Sequence, residues 1–220
     1  DDPDGYFKAD RFENVFFMTA SPFYNSEEVK KDWFNRGGFY RSQPYYPRII
    51  DVYALNDDIK PFIRSYFNNI APVINLETLT FWEHVPGTGG WNKAHETGWF
   101  LYLTRKMLVD ERDGQLLLAP FVTGYWMCDG LKVVAKDMPT SYGEVSYVIN
   151  SHVDDGYIEA EVVLPNRSKP DSILLRLRHP EEKLMKSVTV NGEVYSDFDA
   201  VKEFIRLKQT DGKVVVRAQY

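Results

Sequence analysis

The chain has 220 residues, of which 44% are hydrophobic and 26% charged, so it can bury a core as one large domain or two small ones. The formal net charge is −6, and Lys and Arg are scattered along the sequence, which argues against a nucleic-acid partner. No run of about 18 apolar residues offers a membrane span, so no membrane partner is expected.

Aromatic residues make up 15% of the chain, a content typical of large cores and of pockets for ring-shaped ligands. The single cysteine, Cys128, can form neither an internal disulfide nor a zinc-type cysteine cluster, and it leaves the compartment open. The spacing of His and Glu fits no HExxH pattern, and no GxGxxG or GxxxxGK[ST] pattern occurs. We therefore expect no metal and no cofactor.

The first half of the chain carries a helical period. A weak helix is predicted for SEEVKKDWF, residues 26–34, and a stronger one for PYYPRIIDVYAL, residues 44–55. In NDDIKPFIRSYFNNI, residues 56–70, apolar residues recur at i, i+3, i+4 and i+7, which predicts a helix that pairs with the preceding one as an antiparallel hairpin. A further helix is predicted over residues 92–111, weakened in its middle by Gly98.

After Asp113-Gly114 the period of the apolar residues drops to two. Short β-branched or alternating runs follow one another between Gly, Pro, Asn and Asp, and Asn191-Gly192 predicts a type I′ hairpin turn. Thr210-Asp211-Gly212 predicts another turn. The sequence thus predicts an α+β chain of two domains: helical hairpins over 1–113, and an antiparallel β-sandwich of roughly seven or eight strands over 114–220.

The candidate site surrounds a glycine-rich loop in TFWEHVPGTGGWNKAHETGWF, residues 80–100. Trp82 and Glu83 stand at the entry of the loop, and Trp91, His95 and Glu96 stand at its exit. A carboxylate among aromatic rings can act as an acid or base, indole faces can pack on sugar rings, and imidazole can donate to a hydroxyl. Each residue could instead have a purely structural role. The tryptophans could pack in the core, Glu83 could cap a helix or pair with an Arg, and His95 could be a structural histidine whose nitrogens are hydrogen-bonded.

A second cluster lies upstream in NRGGFYRSQPYYPR, residues 35–48. Arg41 and Tyr45 there could clamp sugar hydroxyls, or could serve as a polar cap and rim of the helical hairpin.

The order of these features resembles the C-terminal part of six-hairpin (α/α)₆-barrel glycoside hydrolases, and in particular α-L-rhamnosidase-like and related bacterial polysaccharide-degrading enzymes. The likeness rests on the helical hairpins, the Thr-x-Trp-Glu element ending at Glu83, the His-x-x-Gly helix start at His95, and PTSYGEVSYVI, residues 139–149, at the opening of the β-domain. It implies a partial α/α barrel followed by the sandwich, an oligo- or polysaccharide substrate, and an extracellular or periplasmic location.

The resemblance also implies site roles. Glu83 would be the general base of an inverting reaction, and His95 would contact the sugar. From their side-chain chemistry and position we expect five further residues to shape the sugar subsite: Trp82, Trp91, Glu96, Arg41 and Tyr45. In the family the general acid comes from an earlier hairpin, so this chain would be a portion of a longer enzyme. Glu96 or Asp51 could supply an acid within the chain, but nothing in the family pattern places it there. The exposed apolar faces of such a portion, with Ile59, Phe62 and Phe67, predict self-association or an N-terminal barrel segment as partner. The alternative is a non-catalytic carbohydrate-binding or structural module.

Overall fold

The computed structural model describes residues 49–70, 73–83, 90–208 and 212–220. Its backbone divides into two compact units, Asp1–Thr104 and Arg105–Tyr220. The helix predicted for residues 26–34, the predicted site residues Arg41 and Tyr45, and most of the turn predicted at Thr210-Asp211-Gly212 lie outside the described residues. None of the helices in the described ranges is long and apolar enough to cross a membrane.

The first unit contains the predicted helical pair. Helix α1 spans Ile49–Leu55 and helix α2 spans Ile59–Ile70, and the two contact each other across a three-residue turn in which Asp57 has a φ of 61°. The amphipathic period of α2 places Phe62 and Tyr66 in the core, at 0% and 5% exposure. The helix predicted from this pattern is confirmed.

The burial of Phe62 corrects one expectation. We predicted that Phe62 would be part of an exposed apolar face, but its side chain is fully buried, whereas Phe67 on the same helix is 46% exposed. Ile59 is half-buried. Self-association stays a prediction, and Phe62 is not part of the surface on which it would depend.

Two short strands follow α2. Strands β1, Ile74–Asn75, and β2, Thr80–Phe81, pair antiparallel, and the Asn75 side chain accepts hydrogen bonds from the backbone N–H of Glu77 and Thr78 in the turn between them. Helix α3 then spans Ala94–Leu108. The predicted helix over 92–111 is therefore confirmed over Ala94–Leu108: residues 92–93 precede it, and Val109–Arg112 forms strand β3.

The second unit is built from two sheets. The strands after β3 are β4 Gln115–Leu118, β5 Lys132–Thr140, β6 Gly143–His152, β7 Tyr157–Val163, β8 Ser172–Arg176, β9 Ser187–Val190, β10 Glu193–Tyr195, β11 Phe198–Asp199, β12 Phe204–Leu207 and β13 Lys213–Gln219. A six-stranded sheet has the order β10-β9-β13-β7-β6-β5, and a five-stranded sheet has the order β11-β12-β8-β4-β3. Short 3₁₀ helices at Gly124–Met127 and Val153–Asp155 lie between strands.

The two sheets share one hydrophobic core. Alternate residues of β6 and β7 point into it, including Val145, Tyr147 and Ile149, and Leu116 and Leu175 enter from the five-stranded sheet. The predicted sandwich is thus present in the described residues. Its predicted strand number was too low, and the pairing of β4 with β8 is parallel, whereas we expected antiparallel strands throughout.

Candidate active site

The Glu83 carboxylate lies at the mouth of the glycine-rich loop and is held by two groups from its far end. Lys93 Nζ lies 2.6 Å from Glu83 Oε1, and the Gly90 N–H donates to Oε2 at 3.3 Å. The Glu83 backbone N–H in turn donates to the Gly90 carbonyl at 2.9 Å. The side chain is 27% exposed, so solvent reaches a carboxylate whose orientation is fixed.

Backbone contacts explain why the two ends of the loop meet. The Lys93 N–H donates to the Phe81 carbonyl at 3.0 Å, and the Thr80 hydroxyl donates to the Trp91 carbonyl at 2.7 Å. The Trp82 N–H donates to the Val73 carbonyl at 2.7 Å, which ties the same segment to the strand pair. Residues 91–93 therefore run beside β2, and Glu83 faces the start of α3.

His95 and Glu96 form a second polar group in the first turn of α3. Trp99 Nε1 donates to His95 Nε2 at 2.9 Å, so in the neutral ring the proton is on Nδ1, which lies 3.2 Å from Glu96 Oε1. The Glu96 side chain is fully buried, and its Oε2 has no hydrogen-bond partner in the described part of the chain. Glu96 therefore orients His95, but it is not open to solvent.

A depression of about 300 Å³ lies on the surface of α3, lined by Ala94, His95, Gly98, Trp99 and Tyr102. The rings of Trp99 and Tyr102 meet edge to face, with centroids 5.3 Å apart. The Tyr102 hydroxyl donates to Asp51 Oδ1 on α1 at 2.9 Å. Behind this surface Tyr66 contacts the Thr104 hydroxyl at 2.7 Å, and burial raises the pKa of Tyr66.

Five of the predicted site residues lie in this region. Trp82 and His95 are partly exposed, Trp91 is 54% exposed, Glu83 is paired with Lys93 instead of an Arg, and Glu96 is buried. Sequence reasoning did not assign Lys93 or Tyr102, although a lysine ten residues after Glu83, just before a helix start, is a signal for an ion pair across the loop. No group of three or more His, Cys, Asp or Glu side chains that could hold a metal occurs in the described ranges.

The chain matches no protein-family model and no curated protein. Similar solved structures include one described as a glycoside hydrolase, at 14% identity and a TM-score of 0.38, covering 76% of this chain and 29% of that one. A GH127 β-arabinofuranosidase is similar at 13% identity and a TM-score of 0.43, covering 78% of this chain and 30% of that one. The chain thus spans about three tenths of the length of these structures, and neither is described as an α-L-rhamnosidase.

Proposed function

We propose that this chain is the C-terminal portion of a glycoside hydrolase in which Glu83 is the general base of an inverting hydrolysis. The observation that carries the proposal is the position of the Glu83 carboxylate, partly exposed at a loop mouth and fixed by Lys93 and the Gly90 amide. A general base must be ionised before it can take a proton from water. An ammonium group 2.6 Å away favours the ionised carboxylate.

The reaction needs a water and an acid besides the base. In an inverting hydrolysis the base takes a proton from the attacking water while a carboxylic acid about 6.5–9.5 Å away protonates the leaving oxygen. Glu96 is buried against His95, and Asp51 accepts a hydrogen bond from Tyr102, so the described contacts place neither opposite Glu83. The proposal assigns the acid to a residue outside the described ones.

The aromatic surroundings of Glu83 support an oligo- or polysaccharide as substrate. Trp91 is 54% exposed beside the loop, and such a ring can pack on the apolar face of a sugar. The resemblance to α-L-rhamnosidase-like enzymes makes α-L-rhamnosides the first substrates to test. Aryl α-L-rhamnoside and aryl arabinofuranosides would be compared in one panel.

The test is the substitution Glu83→Gln in the full-length natural protein. We expect kcat to fall at least about 100-fold with KM nearly unchanged, because the amide keeps the shape of the side chain but cannot accept the proton. Glu77→Gln, at an exposed glutamate of the same unit, is the control. An unchanged kcat in Glu83→Gln, with the circular dichroism spectrum also unchanged, would remove Glu83 from the mechanism.

One observation favours a second function, a non-catalytic carbohydrate-binding module. The exposed Trp91 ring could bind a saccharide without any help from Glu83. This alternative predicts that saccharide binding is lost in Trp91→Ala and is unaffected in Glu83→Gln, with no turnover by the wild type. Isothermal titration with the same saccharide panel separates the two functions.

A further inference from the structure

The depression on α3 contains a glycine that the fold does not require. Gly98 lies in the middle of the helix, where glycine is a poor helix former. Among the described residues, a Cβ atom built at Gly98 would meet nothing within 4 Å beyond its chain neighbours and the backbone of its own helix, so no described neighbour excludes a side chain there. A helix-interior glycine that faces open space between aromatic rings indicates close approach of a ligand to the backbone.

The aromatic walls of the depression are held in place before any ligand arrives. Trp99 is fixed by its hydrogen bond to His95, and Tyr102 is fixed by its hydrogen bond to Asp51. The two rings stand at 84° to each other and form a corner of the depression, which Gly98 also lines. Both rings line the depression, while the polar atom of Trp99 is bonded to the His95 ring and that of Tyr102 to the Asp51 carboxylate.

We propose that this depression is a subsite for one sugar ring, whose apolar C–H face packs against Gly98 and the Trp99–Tyr102 corner; the saccharide class of the ligand rests on the proposed function. A sugar ring has an apolar face and a polar circumference, which matches the apolar walls of the depression with the His95 ring in its lining and the Asp51 carboxylate bonded to Tyr102. The volume of about 300 Å³ is at the lower end of small-molecule pockets, which fits a ligand of one or two rings.

The chain places this subsite next to the proposed base. Lys93 holds the Glu83 carboxylate, and the next residue, Ala94, lines the depression. Consecutive Cα atoms are only about 3.8 Å apart, so a sugar in the depression lies at the loop end to which Glu83 is bound. A neighbouring ring of the same saccharide can then extend toward Glu83.

The experiment fills the depression without removing any contact. Gly98→Leu adds a good helix former at a position with open space, so we expect a higher Tm together with at least a tenfold loss of saccharide affinity. Leu101→Gln, on the same helix at a side chain that is 60% exposed and does not line the depression, is the matched control. The probes are the methyl glycosides of L-rhamnose, L-arabinose, D-galactose and D-glucose. Saturation-transfer difference NMR detects their binding, and titration measures their affinities.

The expected result is binding of at least one glycoside by wild type, Leu101→Gln and Glu83→Gln, and its loss in Gly98→Leu. No binding by the wild type, or equal binding by Gly98→Leu, overturns the subsite. An association with another protein that Gly98→Leu abolishes while saccharide affinity stays unchanged also overturns it. If Gly98→Leu loses binding while Glu83→Gln keeps full turnover, the proposed function fails and the subsite stands. If Gly98→Leu keeps binding while Glu83→Gln loses turnover, the subsite fails and the proposed function stands.

Discussion

The pair formed by Arg178 and Glu203 in the second unit allows a quantitative test of the fold. Arg178 Nε donates to Glu203 Oε2 at 2.9 Å, and the two side chains are only 10% and 14% exposed. Glu203 also has a φ of 61°, a conformation that costs a residue with a side chain roughly 1–2 kcal/mol. The pair thus keeps a non-glycine residue in a strained position.

Two substitutions separate the charge from the strain. Glu203→Ala leaves the Arg178 guanidinium buried with the Val122 carbonyl, 3.3 Å from its NH1, as the other acceptor seen in the described residues. Removing one partner of a buried pair costs about 3–5 kcal/mol, and we expect a value near the lower end because the site is not fully closed. Glu203→Gly removes the same charge but relieves the strain, and after the entropy cost of glycine it should be less destabilising than Glu203→Ala by about 0.5–1 kcal/mol.

Urea unfolding monitored by far-UV circular dichroism measures both values. The control is Glu161→Gln, which removes the charge of an exposed pair with Lys213, 2.5 Å away, and should cost less than about 1 kcal/mol. A change below about 1 kcal/mol for Glu203→Ala would refute the contribution of the buried pair. A Glu203→Gly variant no more stable than Glu203→Ala would refute the strain.

Two further predictions concern the second unit. His179 is 4% exposed, and its Nδ1 accepts a hydrogen bond from the Glu181 N–H at 3.0 Å. Burial, and then the charge of Lys183, lower the pKa of His179 in the folded protein. Its contribution to stability is therefore complete above the pKa of the unfolded chain, about 6.5, and declines as the pH falls below that value. Between about pH 8 and about pH 5, the Tm of His179→Asn should fall less than the Tm of the wild type. An equal fall in the two proteins would show that protonation of His179 does not destabilise the fold. Gly114 has a φ of 76°, so Gly114→Ala should cost about 1–2 kcal/mol of stability. A Cβ there would also meet the Asp171 carboxyl group, but that side chain is exposed and can rotate away, so the cost should stay within about 0.5 kcal/mol in an Asp171→Ala background. A larger reduction would show that the collision causes the loss.

Local patterns predicted the elements whose stability is local. The apolar period of residues 56–70 was sufficient for α2 because the same residues that define the period, including Phe62 and Tyr66, are buried. The Asn191-Gly192 turn is confirmed by φ angles of 51° and 84° and by the pairing of β9 with β10 on either side of it. In both cases residues close together in the sequence are sufficient to predict the element.

Distant pairing explains what the sequence did not reveal. The segment Val109–Arg112 continues the charged pattern of α3, and it becomes a strand because Gln115–Leu118 pairs with it across the Asp113-Gly114 turn. The sequence predicts that helices give way to strands at this turn, but the turn itself connects two paired strands, β3 and β4. The parallel pairing of β4 with β8 joins segments far apart in sequence, for which no local period gives a signal.

Two residues in the first half of α3 are unfavourable for helix formation or for burial. This supports a functional role for the start of the helix. Gly98 weakens the helix without relieving crowding by any described residue, and Glu96 buries a carboxyl group whose Oε2 also has no hydrogen-bond partner among those residues. Packing alone would favour alanine at the first position and an apolar residue at the second. Both lie within five residues of Lys93, which holds Glu83. Since violations of local preference are expected at functional sites, the start of α3 and the loop before it are where substitutions should change function more than stability.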